Sequence, residues 1–395
     1  MRRSDRVKMC SYSVIFVGMY PNPVDKYLNS FFQNLIFGMA DNGVKCTVIS
    51  PVSITKYRAR TNHIPNESVD ITPEGNNVRV IYPRYFSASG KKIGEYNTRH
   101  IGEYFFQQAA VKAAKTLKEH FDFAYGHFVL DGGLAAIKVG KALGIPSFFA
   151  YGECDYKSQV EDYYGEIPCE KVEGLKGIIS VSSKNTNELS HVNAFRDIHK
   201  ITIPNAANSN LFYKKDKTEM RRKYNLPDNE FIVGFVGGFI DRKGDKRLLE
   251  AVNRIDGAYV AYAGRGDNPP KGEKVLFCDS LEHEEIPDFL NAMDVFVLPT
   301  LNEGSCNAIV EAMACGLPII SSDLPFNDDI LSDDNSIRIN PNSIDDIEKA
   351  IRTIYEDTML RERLSEVALR TAGDLEIHTR ADRILQFMIN ESTII

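Results

Sequence analysis

PTLNEGSCNAIVEAMACGLPIISSD, residues 299–323, sets two glutamates, Glu303 and Glu311, on either side of a small polar turn. The apolar run Val295–Leu298 leads into it as a strand. Beyond the turn, Ala308, Ile309, Ala312 and Met313 recur at helical spacing. Gly316 and Pro318 then stop the helix, and Ile319–Ser321 reads as the next buried strand. This winding predicts Glu303 at the carboxyl end of a strand and Glu311 about two turns into the helix, because eight residues rise roughly 12 Å. The amides of Gly304, Ser305, Cys306 and Asn307 crowd the helix start, where oxyanions bind. Carboxylates that accept from sugar hydroxyls, next to amides that hold phosphate, suit a sugar nucleotide.

A second glycine turn lies upstream in the same winding. VGFVGGFIDRKGDKRLLEA runs from the strand Phe231–Val236 into Gly237-Gly238, passes Arg242 and Lys243, and opens the helix Asp245–Ile255 after Gly244. Small residues let backbone approach a ligand, and cations beside such a turn are well placed for a diphosphate. The chain has no G-x-x-x-x-G-K-[ST] and no full G-x-G-x-x-G with a ribose acid, which excludes nucleotide kinase and dehydrogenase readings.

Strands and helices alternate along the whole chain, so the expected fold class is α/β, with parallel sheets wound by helices. Ser13–Val17, Val44–Ser50, Val78–Tyr82, Phe123–Tyr125, Ser147–Tyr151 and Gly177–Val181 read as strands of a first half. Residues 53–77 and 83–98 read as long loops, which usually carry function. The polar, asparagine-rich stretch PNAANSNLFYKKDK, Pro204–Lys217, marks a boundary, after which the pattern starts again with Phe231–Val236, Ala258–Ala263 and Val275–Phe277.

With 395 residues, 43% hydrophobic and 26% charged, the chain has the composition of a globular protein large enough for two or three domains. No apolar run reaches the roughly 18 residues needed to span a bilayer, and Val14–Gly18 is too short for a signal core. Seven cysteines, none in C-x-x-C spacing, read as reduced thiols of a cytosolic protein rather than a zinc site or disulfide framework. The net charge of −7 is uneven: residues 1–200 carry 25 Lys/Arg against 20 Asp/Glu, and residues 201–395 carry 22 against 34. A basic first half suggests an anionic surface or acceptor as its partner. Nucleic acid is not expected, because no recognisable binding module accompanies the charge.

Residues 231–323 resemble the donor half of the retaining GT-B glycosyltransferases, specifically the large family four. The resemblance rests on VGGFIDRKG, on DFLNAMDVFVLPTLNEGSCNAIVEAMACGLPII with its E-x7-E spacing, and on the linker PNAANSNLF. Weaker similarity, in YPNPVDKYLNSFFQNL and FDFAYGHFVLDGGLAAIKVGKALGIP, extends over nearly all the chain. It implies two doubly wound Rossmann-like domains facing across a cleft. Residues 1–204 would bind acceptor and 205–375 the nucleotide-sugar donor, and a helix within 376–395 would pack back on the first domain.

By position, the resemblance implies that Lys243 neutralises the donor diphosphate, Glu311 accepts from the ribose, and Glu303 binds hydroxyls of the transferred sugar. The amides of Ser305–Asn307 would hold phosphate or sugar. No metal is expected, since D-x-D occurs nowhere in the chain. Gly238 stands where many relatives carry an arginine, so Arg242 would supply the second cation. The segment AYGECDY lacks a histidine found there in several relatives and offers Glu153 and Asp155.

Other residues read two ways. His127, ending a strand in YGHFVLDGG, is either a satisfied structural histidine or a group that binds acceptor or sugar. Glu153 and Asp155 would share a face on extended chain as a base or acceptor contact, against the blander reading of a solvated loop. Tyr82, Arg84, Tyr85 and Phe86 read as an aromatic-basic lip for a glycan or, in part, as core.

The expected function is a retaining, metal-independent transfer of a sugar, from UDP, to a glycan or lipid-linked acceptor in surface polysaccharide biosynthesis. The enzyme would be cytoplasmic, with peripheral contact at the anionic inner membrane face. Two alternatives remain at this stage: a sugar-nucleotide epimerase or hydrolase of the same architecture, and a non-catalytic sugar-nucleotide-binding protein.

Overall fold

A computed structural model describes residues 12–26, 28–87, 92–93 and 96–393. Cys10, the basic N-terminal run and part of the 83–98 segment lie outside the described residues. The chain divides into two compact units, Met1–Ile203 with His378–Ile395, and Pro204–Ile377.

The first unit contains β1 (Ser13–Val17), α1 (Ser30–Asp41), β2 (Lys45–Ile49), β3 (Glu67–Ile71), β4 (Asn77–Ile81) and α2 (Arg99–Thr116). It continues with β5 (Phe123–His127), α3 (Leu134–Leu143), β6 (Ser147–Tyr151), β7 (Leu175–Ser180), α4 (Ser183–Ser190) and β8 (Lys200–Thr202). The strands form one sheet in the order β8-β7-β6-β5-β1-β2-β4-β3. All pairings are parallel except the hairpin β3–β4. Strands β1, β5 and β6 are buried along their whole length, the mark of parallel strands covered on both faces.

The second unit contains α5 (Lys217–Lys223), β9 (Phe231–Val236), α6 (Asp245–Asn253), β10 (Ala258–Ala263), β11 (Val275–Asp279), α7 (Ile286–Asn291) and β12 (Val295–Leu298). It ends with α8 (Asn307–Ala314), β13 (Ile319–Ser322), β14 (Ser336–Ile339), α9 (Ile344–Glu356) and α10 (Thr358–Asp374). Its sheet runs β11-β10-β9-β12-β13-β14 and is parallel throughout.

The parallel strands of each sheet reverse their order once, between β1 and β5 in the first unit and between β9 and β12 in the second. Loops that leave the carboxyl ends of strands at such a switch point diverge and open a crevice. The turns Gly237–Gly244 and Pro299–Cys306 sit at the second switch point, and Phe128–Gly133 at the first.

Segments read as loop hold short edge strands. In β3 the exposure alternates, with Val69 and Ile71 turned to solvent, so ESVDI lacks the apolar run that signals a buried strand. β8 and β14 are short pieces at the two sheet edges. The last helix, α11 (Ile377–Thr393), packs Ala381, Ile384, Leu385, Phe387 and Met388 into the first unit's core with Phe148 and Ile179. Gly177 admits the Phe387 ring, because a Cβ there would lie 2.7 Å from it, and Phe387 meets Phe148 edge-on at 6.1 Å. Phe387→Ala should therefore cost the first unit about 3–5 kcal/mol, read as a lower urea midpoint at unchanged slope. An unchanged midpoint would show that the helix contributes no core.

Candidate functional site

In the second unit the β9–α6 turn is stitched to the end of β12. Gly244 has φ 80°, and a Cβ on it would lie 2.5 Å from the Pro299 carbonyl, so only glycine permits this approach. The Leu301 amide donates to the Arg242 carbonyl at 2.8 Å, and the Arg247 guanidinium donates to the Pro299 carbonyl at 3.0 Å. The two glycine turns thereby bring their charged side chains together.

Glu303 Oε1 is the meeting point. It accepts from Lys243 Nζ at 2.5 Å, Arg242 Nη1 at 2.8 Å and Thr300 Oγ1 at 2.9 Å. Arg242 also donates to the Asn302 carbonyl. The Glu303 and Lys243 side chains are only 10% and 16% exposed, and removing one partner of a buried pair costs about 3–5 kcal/mol. Burial works against the charge on Lys243, yet Cys306 and Glu303 together raise its pKa above the usual lysine value. Two cations on one carboxylate leave the cluster one charge positive, which suits an incoming diphosphate.

Helix α8 starts at Asn307, with Cys306 extended just before it and no side chain capping the end. Glu311 is therefore one turn into the helix rather than two, since residues 299–306 are spent on the turn. Ser305 is fixed from the linker: Asn205 donates its amide to Ser305 Oγ at 3.3 Å and its Nδ2 to the Ser305 carbonyl at 3.1 Å. Burial pushes the Cys306 thiol up to about 11 against the pull of Lys243, so it stays protonated. Gly237 and Gly238 close β9, where the Gly237 amide donates to the Ala263 carbonyl at 3.0 Å.

Glu311 has a partner that the sequence reading missed. His283 Nε2 lies 3.2 Å from Glu311 Oε1, with the Phe212 ring 5.3 Å from the imidazole. Burial alone would lower the His283 pKa, but the hydrogen bond and charge of Glu311 raise it above its ordinary value. The only sequence signal is a histidine shortly after β11.

His127 belongs to the first unit. It is buried at the end of β5, with Phe31, Phe32 and Phe128 rings at 4.9, 5.2 and 4.7 Å. Burial and then the charge of Arg380 push its pKa down to about 3, so the imidazole is neutral. Glu153 does not lie in a solvated loop: it is buried, with Oε1 accepting the Val129 amide at 2.6 Å. The strand ends at Tyr151, so Glu153 and Asp155 do not lie on extended strand, and Asp155 Oδ1 accepts from the Ser158 amide at 2.8 Å. Tyr82 is core, its hydroxyl donating to the Pro21 carbonyl at 2.9 Å, and Arg84 is spent on backbone carbonyls including that of Tyr82. Of the aromatic-basic lip, only Phe86 is openly exposed.

Solved structures share this architecture. Sucrose-phosphate synthase from Thermosynechococcus elongatus superposes with TM-score 0.72 at 19% identity, spanning 96% of this chain and 98% of that one. Anabaena HepE, solved with UDP and glucose, gives TM-score 0.67 at 15% identity, spanning 96% and 100%. The fold is GT-B. Residues 216–371 match the family described as glycosyl transferases group 1.

The putative teichuronic acid biosynthesis glycosyltransferase TuaC of Bacillus subtilis is 23% identical over 86% of this chain and 87% of its own length. The lipopolysaccharide core biosynthesis glycosyltransferase LpsE of Rhizobium meliloti is 28% identical over 43% and 53%. Among the described residues no helix is long and apolar enough to cross a membrane.

The His283–Glu311 pair gives a pH dependence of defined sign. A histidine raised in the folded state contributes stability that is fully present below about pH 6.5, its unfolded value. That stability is lost as pH rises through the raised folded value. His283→Ala should therefore lower the melting temperature at pH 6 more than at pH 9. A deficit that grows with pH would rule out the charged pair.

Proposed function

We propose that this enzyme moves a sugar from a UDP-sugar to a glycan or lipid-linked acceptor of surface polysaccharide biosynthesis, with retention at the anomeric carbon and without a metal ion. The observation that carries the reading is the cluster of Lys243, Arg242 and Glu303 at the sheet's switch point, next to the uncapped start of α8. Support for the nucleotide comes from HepE, solved with UDP and glucose. Support for the pathway class comes from relatives named for teichuronic acid and lipopolysaccharide core biosynthesis.

Lys243 and Arg242 would stabilise the charge that develops on the leaving nucleoside diphosphate, the task a metal performs elsewhere. The amides of Gly304, Ser305, Cys306 and Asn307 would add hydrogen bonds to phosphate or sugar oxygens. Glu303, oriented by its three donors, would accept from hydroxyls of the transferred sugar, and Glu311 from the ribose. Gly237 and Gly238 would let the donor lie against backbone. The first unit, basic in its N-terminal part and carrying neutral His127, would bind acceptor and meet anionic lipid on the cytoplasmic side.

Lys243→Ala should lower kcat/KM by about 10²-fold or more, and Glu303→Gln should do so while nearly preserving side-chain size. Near-normal turnover in either variant would remove its assigned role. Turnover should survive excess chelator, and NMR of the product should show the donor's anomeric configuration. Loss of activity in chelator, or an inverted product, would overturn those parts of the reading.

A further inference from the structure

Loop Phe128–Gly133 leaves β5 immediately after His127 in an unusual backbone conformation. Phe128 has φ 66° and ψ 161°, and Asp131 has φ 60°, values seldom adopted by residues with a side chain. Such a conformation persists only when its surroundings over-determine it. The Gly133 amide closes the loop onto the Phe128 carbonyl at 2.7 Å. Two further loop amides are taken by buried carboxylates: Val129 donates to Glu153 Oε1 at 2.6 Å and Asp131 to Glu103 Oε2 at 3.1 Å. Glu153 is 6% exposed and Glu103 1%.

Glu153 is itself held in place. Its Oε2 accepts from the Gly152 amide at 3.1 Å, and its carbonyl accepts from Asn185 Nδ2 at 2.9 Å. Ser182 Oγ, 2.5 Å away, orients the Asn185 amide in turn.

We propose that Glu153 is a positioning residue for sugar transfer, its ionised carboxylate holding the Val129 amide and so fixing His127 and Phe128 against the substrate. The proposal rests on the functional reading above, in which the end of β5 faces substrate. A carboxylate offers acceptor oxygens to both amides, whereas its protonated form turns one oxygen into a donor facing an N–H. Protonation sets that donor against one of the two amides; where it falls on Oε1, the Val129 contact weakens and Phe128 can relax.

The charged and titratable groups around Glu153 are Glu188, Asp155, Tyr151, Tyr156, Lys184 and His127. Glu188 accepts from the Tyr151 hydroxyl and the Tyr156 amide at 2.5 and 2.9 Å, and Lys184 donates to the Cys154 carbonyl. A Cβ on Gly152 would lie 3.7 Å from His127 Nε2. Burial raises the Glu153 pKa to about 7 against the amide hydrogen bonds that lower it. His127, pushed down to about 3, does not titrate in that range. Since the carboxyl is raised on folding, its ionisation costs stability as pH climbs toward and past 7.

The test is Glu153→Gln in the full-length enzyme, which keeps the side chain's shape and cannot ionise. We expect kcat to fall about tenfold or more from a displaced loop, with the donor KM unchanged and the wild-type acid limb near pH 7 gone. The variant's melting temperature should gain on the wild type between pH 5 and pH 8. In 15N-valine spectra the Val129 amide, assigned through Val129→Ile, should titrate near pH 7 in the wild type only, a readout independent of turnover.

Failure of the functional reading would appear as absent transfer by the wild type with that titration intact. The proposal is overturned by a variant with wild-type kcat and pH profile, by equal losses in every kinetic parameter, or by a Val129 amide that titrates in both proteins.

Discussion

One carboxylate oxygen, Glu303 Oε1, gathers donors from both turns at the second unit's switch point, and the site depends on that convergence. Lys243 and Arg242 come from the turn after β9, and Thr300 comes from the segment after β12. Without the carboxylate, two cations would sit side by side in partly buried surroundings. Without Gly244, the turns could not close to the distance the ion pairs need. The pair is thus a structural joint, and it presents net positive charge where a diphosphate would arrive.

The two units solve a similar problem differently. Both place a tight loop at the point where strand order reverses, and both fix it with acidic side chains. In the second unit the acid is paired with cations. In the first, Glu153 and Glu103 meet backbone amides instead; burial raises the Glu153 pKa to about 7 and also raises that of Glu103. Amide hydrogen bonds only partly offset burial and leave such a carboxylate titratable near neutrality.

The fully buried strands were legible because apolar runs bounded by small residues have few alternatives. Ser147–Tyr151, Phe231–Val236 and Val295–Leu298 have the bounds their sequence suggests. Edge strands such as Glu67–Ile71 were not, since one face is wet and the pattern is weak. Within the candidate site, residues sharing a turn could be grouped from sequence, as Gly304–Asn307 were. Their partners could not: His283 reaches Glu311 across 28 positions, and Asn205 reaches Ser305 across 100. Such pairings are set by tertiary winding, which local spacing does not encode. Glu153 misled for the opposite reason, because a charged residue in a polar run reads as solvated until its burial is known.

The placement of α11 bears on how the chain folds during synthesis. The first unit's core includes Ala381, Ile384, Leu385 and Met388, which leave the ribosome only after the whole second unit. Domains usually fold in the order they emerge, but here the N-terminal sheet must wait with part of its face uncovered. The second unit, complete at Ile377, can close first. The sheet made before the second unit is thus finished after it, and a ribosome that stalls before α11 emerges leaves an exposed apolar face ready for a chaperone.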